Sequence, residues 1–438
     1  MRIAWFSPLP PAPTGIAGYS ADVLPLLDAA GLEIDRYQAA NAHDFVWKNQ
    51  RSRYDLAVYQ LGNAPWHDYM WAYLAHYPGL VVLHDARLQH ARAAQLLRER
   101  RADDYRLEFA YDHPDSAAAA DYAIEGLQGS PLYFWPMTRT VVDSARAVAV
   151  HNPFVAGELR ERHPGVHVDV IRMGVPALPS APDARLRIRR ELAIPSDSIV
   201  FVAFGLVTRE KRIEAILRAL GAMTARGVNA HLLLVGGDGY PALAETIAQY
   251  GVADRVKSAG YVADDQIADY LDAADVALCL RWPTAEETSA SWIRALAAGK
   301  PTIITSLPHT ADVPALDART WRPTRRSKDP VAVAIDLLDE DAGLLAAMSR
   351  LSDEGTLLAS FGKAGHDYWK AEHHVSLMAG DYRRVIAAAA ARPAPDVTGL
   401  PAHLTSDYSA RATEIARELG IDIEVRLKPD TTYRNASG

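Results

Sequence analysis

The sequence predicts an α/β protein made of two open, doubly wound sheets that face one another across a cleft. Three observations carry this. The chain has 438 residues, more than one ordinary hydrophobic core organises, so two or three domains are expected. Short apolar runs alternate with helical patterns along most of its length, as in βα units around parallel sheets. A complete second series of such units restarts at Ser198, which favours two similar domains over one large sheet.

In the first half Arg2-Ile-Ala-Trp-Phe6 reads as a strand, followed by a loop punctuated by Pro8, Pro10, Pro11 and Pro13 and a helical pattern over Tyr19 to Ala30. Leu56-Ala-Val-Tyr59, Leu80-Val-Val-Leu83, Ala147-Val-Ala-Val150 and Val168-Asp-Val-Ile171 give four more strands, with largely helical sequence between about 86 and 140. Met173-Gly-Val-Pro176 turns out of this half. The second half has strands at Ser198–Phe204, His231–Val235, Val256–Gly260, Val276–Leu280 and Thr302–Thr305, with helical patterns at Ile213–Ala225, Pro241–Gly251 and Ala263–Ala273. The expected boundaries are 1–175 and 176–365 for the two domains, 366–390 for a helix returning toward the first, and 391–438 for a linker and tail. The run Ile386-Ala-Ala-Ala-Ala-Ala-Arg-Pro-Ala-Pro395 marks the linker. Ser406 to Leu419 is amphipathic, and the polar end Thr431 to Gly438 is expected to be poorly ordered.

Composition excludes several classes. Hydrophobic content of 49% with 23% charged residues is that of a soluble globular protein. The net charge of −8 argues against a nucleic-acid binder held by a general basic field. A single cysteine, Cys279, excludes an internal disulfide and a cysteine-based zinc site, and within Asp275-Val-Ala-Leu-Cys-Leu280 it reads as a core thiol. No signal-peptide core or bilayer-length stretch is present, so the expected location is cytoplasmic.

Ligands of open α/β sheets sit at the carboxyl ends of strands, and three segments there invite chemistry. Arg281-Trp-Pro-Thr-Ala-Glu-Glu-Thr-Ser289 carries Glu286 and Glu287, and Thr288 or Ser289 can cap a helix that stops at Gly299-Lys-Pro301. The free N–H groups of its first turn suit an anion such as a diphosphate, although capping alone equally suits a structural helix. Phe204-Gly-Leu-Val-Thr-Arg-Glu-Lys-Arg212 places Arg209, Lys211 and Arg212 on the same sheet edge. Pro13-Thr-Gly-Ile-Ala-Gly-Tyr19 permits close backbone approach, but no Gly-x-Gly-x-x-Gly fingerprint exists, which demotes a dehydrogenase. His84 and Asp85 follow a strand at the cleft mouth. His84 reads as a hydrogen-bond donor or a structural residue, and with Asp85 and His90 only weakly as a metal set. His373-His374 reads as surface.

Together, the Gly15–Gly18 loop, Lys211 in its post-strand loop, Gly236-Gly-Asp-Gly239, Gly260-Tyr-Val262 and the glutamate-led helix at 286–301 resemble the GT-B glycosyltransferases, most closely family 4. The resemblance covers about residues 1–385. It implies the GT-B architecture, two Rossmann-like domains across a cleft. It also implies retaining transfer of a hexose-type sugar from a UDP- or GDP-sugar to a hydroxyl of a glycan, lipid-linked or small-molecule acceptor. The catalytic set it implies is His84, Glu286 and Lys211. Donor contacts carry over to Gly15, Gly18, Arg209, Lys211, Arg212, Tyr261, Val262, Glu286, Glu287, Thr288, Ser289 and Arg294. No metal and no cofactor are expected, and in the family's front-side mechanism the leaving phosphate takes the acceptor proton.

The chain departs from the family pattern at marked places. Glu286 falls on the first position of the family's Glu-x7-Glu pattern, with Glu287 one residue out of register, but the second glutamate is replaced by Arg294. In the family's phosphate loop Gly205, Glu210 and Lys211 match, while Leu206 takes the arginine position and Arg212 the glycine. Arg209 can substitute for the lost cation. These departures keep a non-catalytic nucleotide-sugar or partner-binding protein as the alternative, with an epimerase behind it. Membrane-surface association is common in the family, and the segment Arg92 to Arg101 reads either as a head-group contact or as a solvated face. Trp66, His67, Trp71 and Tyr73 read as acceptor contacts or as core.

Overall fold

A computed structural model describes residues 1–127, 129–325, 329–406 and 409–421; the polar end at Thr431 to Gly438 lies outside them. The first sheet contains β1 (Arg2–Phe6), β2 (Glu33–Tyr37), β3 (Leu56–Leu61), β4 (Leu80–Leu83), β5 (Ala147–Val150) and β6 (Val168–Val170). They run in the order β2-β1-β3-β4-β5-β6, all parallel. The second contains β7 (Ile199–Phe204), β8 (Ala230–Val235), β9 (Val256–Gly260), β10 (Val276–Cys279), β11 (Thr302–Thr305), β12 (Ala315–Asp317) and β13 (Ala332–Ile335). Its order is β12-β13-β11-β10-β7-β8-β9, again parallel.

Strands covered on both faces need no polar side, which is why β3 and β8 are largely apolar and buried throughout, with Gln60 and His231 as their polar residues. Side chains alternate between the two faces: Ile3 and Trp5 join one cluster, Ala4 and Phe6 another. Phe201 and Ala203 are likewise separated from Val200 and Val202. β2, Glu-Ile-Asp-Arg-Tyr, escaped the apolar-run reading because it is a half-exposed edge strand. The first helix starts at Gly15 rather than Tyr19, since the Thr14 side chain accepts the Ile16 amide at 3.4 Å and caps it there.

The chain crosses back after the second sheet. Val175 pairs with His374, and the helix Val375–Ala390 buries Tyr382, Val385 and Ile386 in the same cluster as Ile3 and Trp5. Tyr19 donates to the Tyr382 hydroxyl at 2.8 Å, tying this helix to the helix Gly15–Ala29. Further on, the short helix Ala402–Thr405 buries Leu404 beside Ala75 of the first domain. No helix among the described residues is long and apolar enough to cross a membrane.

Candidate active site in the interdomain cleft

The winding reverses at the middle of each sheet, between β1 and β3 in the first and between β7 and β10 in the second. Side chains and backbone beyond the carboxyl ends of such strands are free to meet a ligand. Here the two sets of loops touch. The Ala86 amide, after β4, donates to the Ala285 carbonyl, after β10, at 2.7 Å. Asn152, after β5, donates to Thr288 at 3.3 Å, and Arg87 pairs with Glu286.

The second sheet supplies an anion cradle. Gly236, at φ +150°, lies so close to the first loop that a Cβ on it would stand 2.1 Å from the Gly205 carbonyl oxygen. Only glycine allows that approach. Lys211 turns inward over Gly205 and donates from Nζ to the Phe204 carbonyl. Burial, with the Arg281 charge beside it, pulls its ammonium down to about 7. Across from it Ser289 caps the helix Ala290–Ala297 by accepting the Trp292 amide at 3.2 Å. Ser291 Oγ would lie 3.2 Å from a Cβ on Gly205, so the helix start and the glycine loop line one space.

Between the domains lies a set of carboxyl groups. Arg87 reaches Glu158 at 2.8 Å as well as Glu286. Glu286 is held at φ +63°, a conformation that strains a side-chain-bearing residue by about 1–3 kcal/mol. Burial and the neighbouring Glu158 push its carboxyl up to about 7, and its Oε2 is buried without a hydrogen-bond partner. Asp85 accepts the Asn63 amide at 2.7 Å, and burial with the nearby Glu287 charge raises it to about 7. Glu287 itself is taken up by Arg281 at 2.5 Å and by the Thr284 hydroxyl at 2.8 Å. The cleft therefore holds two carboxyls poised near neutrality next to two cations, an arrangement able to bind a diphosphate and to exchange hydrogen bonds with sugar hydroxyls.

Several sequence expectations change at this point. Arg212 does not face the cradle: it occupies the left-handed conformation of the glycine it replaces, φ +58°, and grips Glu340 through two bonds, one of 2.7 Å. His84 is not a free donor at the cleft mouth. It is buried with Nε2 2.9 Å from Gln60 and Nδ1 3.3 Å from His151. Burial, together with His151 and His67, keeps it neutral. Arg294 pairs with Asp264 at 3.5 Å and with Asp22 of the first domain at 3.8 Å. Gly18 packs against the same pair, whereas a Cβ on Gly15 would meet nothing within 4 Å.

Arg209 and Tyr261 are exposed, with Arg209 5.2 Å over the Tyr240 ring, and Val262 is buried beneath. His373 is no surface residue, since its Nδ1 bonds the Met173 carbonyl at 2.9 Å where the chain crosses back. Cys279 borders a cavity between the domains, and burial pushes its thiol up to about 12. Arg92 is buried on Glu108 and 4.2 Å over the Trp71 ring, so it is unavailable to a membrane. His67 and Trp71 are core, while Trp66 is exposed. His84, Asp85 and His90 form no metal set, and no group of three or more metal-ligating side chains occurs among the described residues. Arg87, Glu158 and Arg281 are site residues that the sequence reading passed over. Arg87 and Arg281 stand just beyond strand ends, a signal that was available; Glu158 sits mid-helix and gave none.

Comparison with known proteins agrees with this geometry. Residues 197–338, which contain the whole cradle, match the sequence profile of the family Glycosyl transferases group 1. The best covered solved structures include sucrose-phosphate synthase from Thermosynechococcus elongatus, 17% identical, TM-score 0.63, covering 89% of this chain and 100% of that one. They also include WaaG, a glycosyltransferase involved in lipopolysaccharide biosynthesis, 14% identical, TM-score 0.54, covering 87% and 99%. The chain has the GT-B fold. Its second domain carries the group 1 glycosyl transferase match, and D-inositol 3-phosphate glycosyltransferase of Streptomyces avermitilis is 29% identical over 221 residues, 48% of this chain. The GT-B chain described here spans less than half the length of that curated relative, 45%. A further GT-B neighbour, Anabaena HepE in complex with UDP and glucose, is 14% identical with TM-score 0.56 and covers 88% of this chain and 99% of its own.

Proposed function

We propose that this chain is a retaining glycosyltransferase of the family 4 type, moving a hexose-type sugar from a nucleoside-diphosphate donor to a hydroxyl without a resident metal. The observation that carries the reading is the convergence of Lys211, Arg281 and the capped start of the helix Ala290–Ala297 beyond β7 and β10. These groups are fixed before the donor arrives, and preorganised charge around a departing diphosphate is the largest contribution such a site can make. The bond from the sugar's anomeric carbon to the β-phosphate oxygen breaks while the acceptor oxygen bonds the same face. The acceptor proton passes to the leaving phosphate. Glu286, protonated or ionised near neutrality, is suited to hold the sugar hydroxyls, and the domain contacts at Ala86 and Asn152 exclude water that would hydrolyse the donor.

The crystal complex of HepE with UDP and glucose supports a UDP-sugar as the first donor to try. Isothermal titration of UDP, GDP and their hexose conjugates into wild type and Lys211→Ala tests the reading. Micromolar binding of one nucleotide, weakened about a hundredfold in the variant, is expected. A wild type that binds none of them would replace the transferase by a partner-binding GT-B protein, the reading favoured by Arg294 at the second glutamate position.

A further inference from the structure

The first sheet has a second edge. Arg146 stands directly ahead of β5 and His167 directly ahead of β6, so both lie at the amino ends of the strands, away from the cleft at the carboxyl ends. The linker that follows the helix Val375–Ala390 runs along this edge, with Arg392 to Asp396 and Leu400 against it. Between linker and domain lies a cavity of about 760 Å³, within the usual range of about 300–1,000 Å³ for small-molecule sites. It shares no residue with the cradle or with the carboxyl set of the cleft, and the transfer reaction gives it no role.

Four arginines line it, and they are of two kinds. Arg139 is neutralised by Asp143 at 3.4 Å and Arg162 by Glu158 at 3.1 Å. Arg146 and Arg392 have no carboxylate partner among the described residues. Arg146 instead donates to main-chain carbonyls, from Nε to Pro78 at 3.1 Å and from Nη1 to Arg392 at 3.3 Å. Those dipoles fix the guanidinium without cancelling its charge. Arg392 has its Nε buried with no hydrogen-bond partner, a donor left unpaired at a cost of about 1–3 kcal/mol. The acids on the wall are spent elsewhere. Asp112 accepts the Arg139 amide at 2.5 Å, Asp143 the Tyr111 hydroxyl at 2.5 Å, and Asp396, exposed on the linker, the Thr398 amide at 3.0 Å.

We propose that this cavity is a second, non-catalytic site that takes a small organic phosphate, a phosphomonoester held between Arg146 and Arg392. Guanidinium forks match phosphate oxygens with paired, charge-assisted bonds. Two uncompensated cations balance the two charges of a phosphomonoester better than the single charge of a carboxylate. The organic part packs on Pro164, Val166 and Pro395. Since Arg146 belongs to the first domain and Arg392 to the linker, the occupant ties the linker down onto the domain. The site stands whether or not the transferase reading holds. A soluble phosphate ester and the headgroup of a phosphatidate share this chemistry, and the test separates them.

Glycerol 3-phosphate and acetate are titrated calorimetrically into the full chain and three variants. Arg392→Gln removes one fork. Ala394→Glu sets a carboxylate on the exposed linker wall and removes no side-chain contact. Lys211→Ala disables the cradle, the other place where a phosphate can sit. Glycerol 3-phosphate should bind wild type and Lys211→Ala alike, and about tenfold more weakly in Arg392→Gln and Ala394→Glu. It should also slow amide exchange over 392–400 in wild type and not in Ala394→Glu. If Arg392→Gln fails to fold, Ala394→Glu decides alone. Flotation with phosphatidylcholine vesicles containing phosphatidate separates the sources. Flotation that is lost in Ala394→Glu and displaced by glycerol 3-phosphate makes the ligand a headgroup, and titration without flotation makes it a soluble ester. No binding to wild type, binding lost in Lys211→Ala, equal affinity in all four proteins, or acetate bound as tightly as the ester overturns the proposal.

Discussion

At the reversal point of the first sheet, the loop from Ser7 to Thr14 contains no charged residue, and Gly62-Asn63-Ala64 after β3 contains none either. At the corresponding point of the second sheet, Arg209, Glu210, Lys211 and Arg212 follow β7, and Arg281, Glu286 and Glu287 follow β10. The two sheets share a parallel, doubly wound plan, yet one offers backbone and space while the other offers charge. The fold positions a site, and the loop chemistry decides which half acts on a ligand. The first domain brings charge to the cleft one strand further out, through Asp85 and Arg87 after β4.

The contrast is sharpest at two glycines. Gly236→Ala drives a Cβ to within 2.1 Å of a backbone oxygen at φ +150°, and should lower stability by about 3 kcal/mol or more with loss of the cradle. Gly15→Ala, on the neutral side, meets nothing within 4 Å and should shift the melting temperature by less than about 2 °C. Equal melting temperatures for the two variants would erase the difference drawn between the loops.

Next in size is the carboxyl set. Glu286→Gln keeps shape but carries no negative charge to pair with Arg87, so turnover should fall about a hundredfold with folding intact. Asp85→Asn, at a carboxyl that already accepts the Asn63 amide, should cost only about tenfold. Steady-state rates of sugar transfer, measured beside thermal melts, check both. The reverse ranking would move the working carboxyl to the first domain.

Most strands, though not β2, β12 or β13, the capped helix at Ser289 and the inward lysine were legible because each is a local pattern: apolar runs, a cap directly ahead of a helix, a cation in the loop after a strand. What escaped depends on distance along the chain. Arg87 and Glu286 are separated by 199 positions, and no periodicity announces their pairing. Arg212 read as a phosphate ligand because it is basic and well placed. Its left-handed backbone, set by the glycine position it fills, aims it instead at Glu340 on another helix. His84 read correctly as following a buried strand, but the partners that bury it, Gln60 and His151, lie on two other strand ends. A lone apolar run around Cys279 gave no sign that its end borders a cavity.

The charge on the second side also predicts a pH response of nucleotide binding. Lys211 is held at about 7 in the empty cradle, and a bound diphosphate restores its proton. Nucleoside-diphosphate affinity should therefore be flat below about pH 7 and fall up to about tenfold per pH unit above it. Titrations in buffers of different ionisation enthalpy should show proton uptake at pH 8. Binding independent of pH from 6 to 9 would mean that the lysine stays charged without ligand.

The smallest effect belongs to a second ion pair that joins the two sides, Arg294 with Asp22, with Asp264 beside it. Burial, only partly offset by Arg294, raises Asp22 to about 6, so the folded protein binds this proton more tightly than the unfolded chain does. The ionised form is then the costly one: its contribution to stability improves as pH falls from about 7 toward 4, not the reverse. Asp22→Asn should raise stability at pH 7 by up to about 1 kcal/mol and flatten the pH dependence of unfolding in that window. Arg294→Ala, which leaves Asp22 and Asp264 facing each other without a cation, should lower stability by about 1 kcal/mol at pH 7 and much less at pH 5. Denaturant melts at both pH values decide it. If Asp22→Asn destabilises instead, the pair is a net contribution to domain closure, and Arg294 was selected to join the halves rather than merely tolerated where a glutamate is expected.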